Sequence, residues 1–407
     1  MSIIKFKADL LILPISDHKL KLIENPIITV KTIRRKSIIL DISNKGQPNV
    51  HFKNGIIIPP FIDLHFHWHQ DLISTKDKGD LLAWLKKQVF PQEEKYKNTN
   101  FAKKDALRFS KKLLQVGTLG GGCFSSNFRK ATEFAFNYFQ GDFFIGNTLM
   151  DQNVSKALIS SHEKIIEDTK YLADKYPSGF ALTPRFAIST SPELLAKLNV
   201  KNQHYKFIQT HLAENIEEVI LTNKLYNKNY AEVYQKMGLL SPKTILAHAI
   251  YLSKEEWATL KKYDVILAHC PTSNAPTKEL GLDSGLFNYK TADNYKIRWG
   301  LASDIGGGPY LSMFDVITSF AKHQKTTLTH GLYRATVNNH KLLDLPPPLT
   351  VGSLANFLIV PFYKYRSGED LLRKIVAPGL KNRKMFNNLV TATIYNGKIY
   401  DNKNKIS

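Results

Sequence analysis

Cysteine is scarce: the 407-residue chain holds two, Cys123 and Cys270. Neither belongs to a Cys-x-x-Cys pair, which argues against a disulfide framework and a thiolate zinc site. No run approaches the roughly eighteen apolar residues of a membrane-spanning helix. Low-complexity segments and short-period repeats are absent. The opening stretch carries Lys5 and Lys7 and lacks the unbroken apolar core of a signal peptide, so a cytoplasmic location is expected. Acids are few beside bases: 35 Asp and Glu against 56 Lys and Arg, a net charge of +21. A positive field of that kind suits nucleic acid, anionic membrane or an acidic substrate. The lysines, however, are spread along the chain. Pairs such as Lys103-Lys104, Lys111-Lys112 and Lys261-Lys262 fall on amphipathic helical segments, where they read as solvated faces. Nucleic-acid binding therefore ranks below catalysis.

What is present is a long alternation of strand and helix patterns. Strands are expected at 143–147, 179–183, 207–210, 244–247, 265–268 and 298–302, and helices at 80–89, 105–116, 161–175, 217–225, 254–262 and 312–323. Such alternation predicts a parallel α/β sheet, and at this length closure into a barrel. Both chain ends read instead as short strands, with an Asn396-Gly397 hairpin turn near the C-terminus.

The most informative stretch is Phe61-Ile62-Asp63-Leu64-His65-Phe66-His67. Residues two apart on a strand share a face, so His65 and His67 can aim two imidazoles at one point. Other polar residues end later strands: His211, His248, His269 and Asp304. In α/β barrels that rim carries the active site. Neutral imidazoles with a carboxylate suit zinc, and such an ion brings the pKa of a bound water from about 15.7 to about 7. Glu214, three residues after His211, suits a general acid/base, although an acid at a helix start also complements the helix dipole. Ser253 with Glu256 forms a capping box of structural meaning. Arg185 offers a two-pronged donor for a ring edge, and Phe186 follows it.

Together these segments, with Thr210-His211-Leu212-Ala213-Glu214, Ala247-His248, His269-Cys270-Pro271-Thr272-Ser273-Asn274 and Ser303-Asp304, resemble the metal-dependent amidohydrolase superfamily. Within it the resemblance is to the guanine deaminases, carried by Gln70, by Thr183-Pro184-Arg185-Phe186-Ala187-Ile188-Ser189, by Asp304 to Met313, and by Leu82-Ala83-Trp84-Leu85 with Phe90-Pro91. The resemblance implies a (β/α)8 TIM-type barrel over residues 58–349, with a small β-sandwich from residues 1–57 and 350–407. It implies His65, His67, His211 and Asp304 as ligands of one zinc ion, with iron as the alternative. It makes Glu214 the proton shuttle and His248 the group that orients the attacking water, with Asp304 assisting. Gln70 and Arg185 would bind the purine edge and Phe186 its face. The implied reaction is hydrolysis of guanine to xanthine and ammonia by a homodimer.

Where the pattern departs, Gly120-Gly121-Gly122 replaces threonines, which reads as a flexible segment widening the pocket. The loop after Asn274 is longer than usual. His69 is expected at the rim, His269 within its own loop or at the substrate, and Cys270 packed. The competing readings are a deaminase or hydrolase of another aminopurine, a pterin or a triazine-like ring, and a basic nucleic-acid-binding protein on an inactive barrel.

Overall fold

The computed structural model describes residues 2–73, 80–200 and 205–402; the outermost limits expected for the end domain, Met1 and 403–407, lie outside the described residues. Five strands open the chain: β1 (Ser2–Ser16), β2 (Lys19–Glu24), β3 (Ile27–Ile33), β4 (Lys36–Ser43) and β5 (Val50–Ile58). Eight more follow as β6 (Phe61–His67), β7 (Thr118–Ser125), β8 (Asp142–Leu149), β9 (Ala181–Pro184), β10 (Phe207–Leu212), β11 (Thr244–His248), β12 (Ile266–His269) and β13 (Arg298–Leu301). Three close the chain: β14 (Phe357–Pro361), β15 (Ala392–Tyr395) and β16 (Lys398–Asp401).

Strands β6 to β13 pair in sequence order, every neighbour parallel, with helices between them. This is the expected TIM-type sheet. The first and last groups of strands join in one separate eight-stranded sheet, in the order β16-β15-β14-β5-β1-β3-β4 with β2 beside β1. Its own apolar core includes Phe6, Ile28, Val30, Ile57, Phe357 and Ile394. The expected helix 254–262 forms as read, and its Ser253–Glu256 capping box is complete. Inside the parallel sheet, Ile62, Leu64, Phe144, Phe207, Ile245 and Ile266 form a buried cluster. Each such side chain contributes on the order of 1.5–3 kcal/mol by leaving water.

The barrel is joined along β6 and β13 largely by side chains. Asn339 Nδ2 donates to the Ile62 carbonyl at 2.7 Å and to the Leu301 carbonyl at 2.9 Å, one on each side of the seam. Asp63 accepts from the Ser303 backbone N–H at 2.9 Å and from the Ser303 hydroxyl. The Asp304 N–H donates to the His65 carbonyl at 2.9 Å. Gly300 makes room for this joint, since a Cβ there would sit 1.8 Å from Asn339 Oδ1. Asn339→Ala strands two buried carbonyls. At about 1–3 kcal/mol for each lost partner, the variant should show a clearly lower midpoint in thermal or urea unfolding.

One sequence reading is overturned here. The Gly120-Gly121-Gly122 segment is not a flexible wall. It lies within β7, where a Cβ on Gly121 would fall 1.7 Å from the Asp63 carbonyl oxygen and one on Gly122 would fall 2.4 Å from that of Leu64. The glycines let β7 lie hard against β6, whose register slips at this point.

Candidate active site

The site is built where the parallel strands end. β6 delivers His65 and His67, β10 delivers His211, β11 delivers His248, and Asp304 follows β13. His248 and Asp304 both take left-handed backbone conformations, with φ of 74° and 47°. Non-glycine residues hold such angles only where the surroundings enforce them, and such sites are often functional.

The donor atoms converge. His65 Nε2 lies 3.3 Å and His67 Nε2 3.5 Å from Asp304 Oδ1. His67 Nε2 faces His211 Nε2 at 3.0 Å. Ligand atoms of His65, His211, His248 and Asp304 all lie within 4.8 Å of one another. Three of the four expected ligands fall in that set, with His248 beside them; His67 lies outside it, although its Nε2 is close to His211 and Asp304. His211 places its Nδ1 2.6 Å from the Arg185 carbonyl, which fixes the proton on that nitrogen and leaves Nε2 with a lone pair aimed inward. Burial first, then the neighbouring His65, holds the pKa of His67 and of His211 well below 6.5, so both rings are neutral. Neutral imidazoles around a buried carboxylate fit a divalent cation.

His248 is held differently. The Asn274 amide nitrogen meets its Nδ1 at 3.1 Å, which places the ring proton on Nε2. That nitrogen faces Glu214 Oε2 at 3.3 Å and Asp304 Oδ2 at 3.9 Å. In that tautomer Nε2 is a hydrogen-bond donor. Burial, partly opposed by Asp304, lowers the His248 pKa to about 4.

Glu214 is not the helix cap. Asn215 takes that place, and Glu218 completes the capping box by accepting from the Glu214 and Asn215 N–H groups. Glu214 is free to face His248, and its Oε1 accepts from the Ser284 hydroxyl at 3.4 Å. Burial, then Asp304, pushes its pKa well above 4.5. Burial also works against the Asp304 carboxylate, but the adjacent His65, with Nε2 3.3 Å from Oδ1, outweighs it and holds its pKa below 3.8. The pKa values of two neighbouring carboxyl groups are thus driven apart, Asp304 downward and Glu214 upward.

Gln70, Arg185 and Phe186 line the same cleft as His67, His211, Glu214 and Asp304. Leu81, Trp84, Leu85 and Leu282 complete its wall. An apolar wall with a few convergent polar groups suits a small ligand.

The amidohydrolase family model matches residues 56–399, all eight barrel strands together with β14 and β15 of the end sheet. The chain belongs to the amidohydrolase family. The expected resemblance to the guanine deaminases within that superfamily is borne out. The chain is 30% identical to the guanine deaminase of Dictyostelium discoideum over 363 residues, covering 83% of this chain and 77% of that protein. It is 29% identical to the Escherichia coli enzyme over 328 residues, covering 76% and 74%. The guanine deaminase of C. acetobutylicum, solved with guanine bound in its active site, superposes with a TM-score of 0.82 at 27% identity, covering 98% of this chain and all of that one. This amidohydrolase therefore carries a hydrolase site acting on C–N bonds, with a His and Asp cluster suited to a divalent metal.

Two sequence readings change, and three residues went unassigned. His69 is not at the rim: it is fully buried, with Nε2 3.1 Å from Glu93 Oε1. His269 makes no hydrogen bond within its loop among the described residues. It is wedged between Phe287 and Phe320, its pKa lowered by burial to about 3. Glu93, Asn274 and Ser284 were not assigned to the site. Asn274 lies in a quoted motif, and Glu93 follows Phe90-Pro91 by two residues, but neither carries a spacing signal. Cys270 is buried as expected, with burial raising its thiol pKa well above 9.

Proposed function

We propose that this chain hydrolyses guanine to xanthine and ammonia. The observation that carries the reading is one cleft where the buried Glu214 carboxyl, Gln70 and Arg185 meet residues of a candidate cation cluster. The relatives and the guanine-bound neighbour favour the same substrate.

His65, His67, His211 and Asp304 would hold zinc, whose ligand preferences match this set better than those of harder cations. A bound divalent cation supplies Lewis-acid activation of water. The rest falls to the side chains. Gln70 and Arg185 hold the edge of the purine, and Phe186 covers its face. His248 holds the attacking water by hydrogen bond, beside the ionised Asp304. Oxygen bonds to C2 and the C2–N bond to the amino group breaks. A proton must reach the adjacent ring nitrogen and then the departing amine. Asp304 and His248 assist removal of the water's proton, and Glu214, facing His248 in the cleft, is the group placed to carry it to the ring nitrogen and a second to the departing amine.

The test is a guanine-to-xanthine assay with metal analysis on the same preparation. Equimolar xanthine and ammonia with one zinc per chain is the expected result. Ammonia released from a pterin or triazine but none from guanine would overturn the substrate. Arg185→Ala should raise KM for guanine about 10- to 100-fold, the worth of a charge-assisted hydrogen bond, with metal content unchanged. An unaltered KM would remove Arg185 from recognition.

Among the described residues no helix is long and apolar enough to cross a membrane. We further propose a cytoplasmic homodimer, checked by sedimentation and fractionation. Its domains would divide at residues 57/58 and 349/350.

A further inference from the structure

Glu93 sits outside the reacting groups yet organises the cleft. It lies on a helical segment interrupted by a five-residue π turn, Leu85–Val89, whose neighbours Leu81 and Trp84 form the apolar wall. Its Oε1 accepts from Gln70 Nε2 at 2.9 Å and from Arg185 Nη1 at 2.8 Å; Oε2 accepts from Arg185 Nη1 at 2.9 Å. Oε1 also lies 3.1 Å from His69 Nε2. All four side chains are buried. Burial alone would favour the neutral acid, but Arg185 and His69 hold the Glu93 pKa at about 2, so it is a carboxylate. An ionised carboxylate is acceptor-only.

That last point fixes its partners. A flipped Gln70 amide would set its carbonyl oxygen against a charged oxygen, with both groups buried. The amide nitrogen therefore stays on Glu93, and the carbonyl stays on the other side, beside Gly306. A Cβ on Gly306 would come 2.4 Å from Gln70 Oε1, so glycine keeps that space open. Arg185 in turn has its Nη1 corner taken, which sets the plane in which the rest of its fork can donate.

We propose, resting on the guanine reading, that Glu93 is a positioning residue that sets substrate selectivity by locking Gln70 as an acceptor beside Arg185 as a donor. An acceptor beside a donor reads a ring N–H next to a carbonyl, the lactam edge at N1 and C6 of guanine. The opposite edge, a bare ring nitrogen next to an exocyclic amine, mismatches at both positions. 2,6-Diaminopurine presents that opposite edge while keeping the 2-amino group that leaves. Were the Gln70 amide free to turn, the site would accept both.

The experiment compares kcat/KM for guanine and for 2,6-diaminopurine in the metal-loaded native protein and in Glu93→Gln. An amide at position 93 offers either a donor or an acceptor to Gln70, so the lock is lost. The guanine preference should fall about tenfold or more. KM for guanine should rise, with kcat changing less than about threefold and metal content equal. A preference unchanged within about twofold, or a collapse of kcat alone, overturns the proposal. Gln70→Leu keeps the question decidable if the first variant does not fold, because the preference must fall there too. Adding Glu93→Gln to it should then lower the preference little further. A Gln70→Leu protein with native preference overturns the proposal by itself. Native protein that releases no ammonia from guanine removes the substrate reading and this proposal with it. Native activity with an unmoved preference removes only the role of Glu93.

Discussion

Glu214→Gln keeps its metal and loses on the order of a thousandfold in kcat. The amide preserves the size of the side chain and its contact with Ser284, but it cannot carry a proton between the ring nitrogen and the leaving amine. General acid–base groups contribute about 10²- to 10⁴-fold, and this one acts on two successive proton transfers. The cation cluster does not depend on it, because the expected ligands are His65, His67, His211 and Asp304. The same preparation should therefore show a native metal-to-protein ratio, equal KM within a few-fold, and a flat rate. Loss of metal in parallel with loss of rate would make Glu214 a ligand. Retained turnover would give the proton work to another group.

Chelation produces the second large effect, on rate and stability together. Activity falls to background and returns on adding back the divalent ion. Binding to the folded state alone contributes RT ln(1 + [L]/Kd), about 4 kcal/mol when the ion is a thousandfold above its Kd. For a chain of 407 residues that moves the unfolding midpoint by about 5 °C. Differential scanning calorimetry with and without chelator reads it directly. Unaltered midpoint and rate would mean that no structural or catalytic cation is held there.

Acid acts on the same groups. The folded pKa values of His67 and His211 lie well below 6.5, and that of His248 is about 4. The unfolded chain therefore binds more protons than the folded one as pH falls from about 6.5 toward 4, and stability falls with it. Above about 6.5 these rings cost nothing.

The barrel was legible because its strands are short apolar runs, and the site because its imidazoles and carboxylate sit where those runs stop. β7 was not read as a strand: Thr118–Ser125 is rich in glycine, and only the close approach to β6 explains why. The helices Arg129–Tyr138, Tyr230–Met237 and Gly368–Lys381 also went unread. The last contains Pro378, which in sequence signals a break. Glu93 was invisible for a different reason. Its partners at 69, 70 and 185 belong to distant parts of the chain, and one acid among helical residues carries no mark of three converging donors. The same holds for Asn339, whose two acceptors lie some 40 and 280 positions away.

The joint held by Asn339 and Asp63 lies where the first and last parallel strands meet, and His65 and His67 come from one side of it and Asp304 from the other. A cation bound by these three side chains would span the seam like a rivet, coupling its loading to closure of the ring of strands. Amide exchange in the ion-free protein should accordingly begin to rise at Asp304, whose N–H bridges to His65, before it rises between β10 and β11 on the far side.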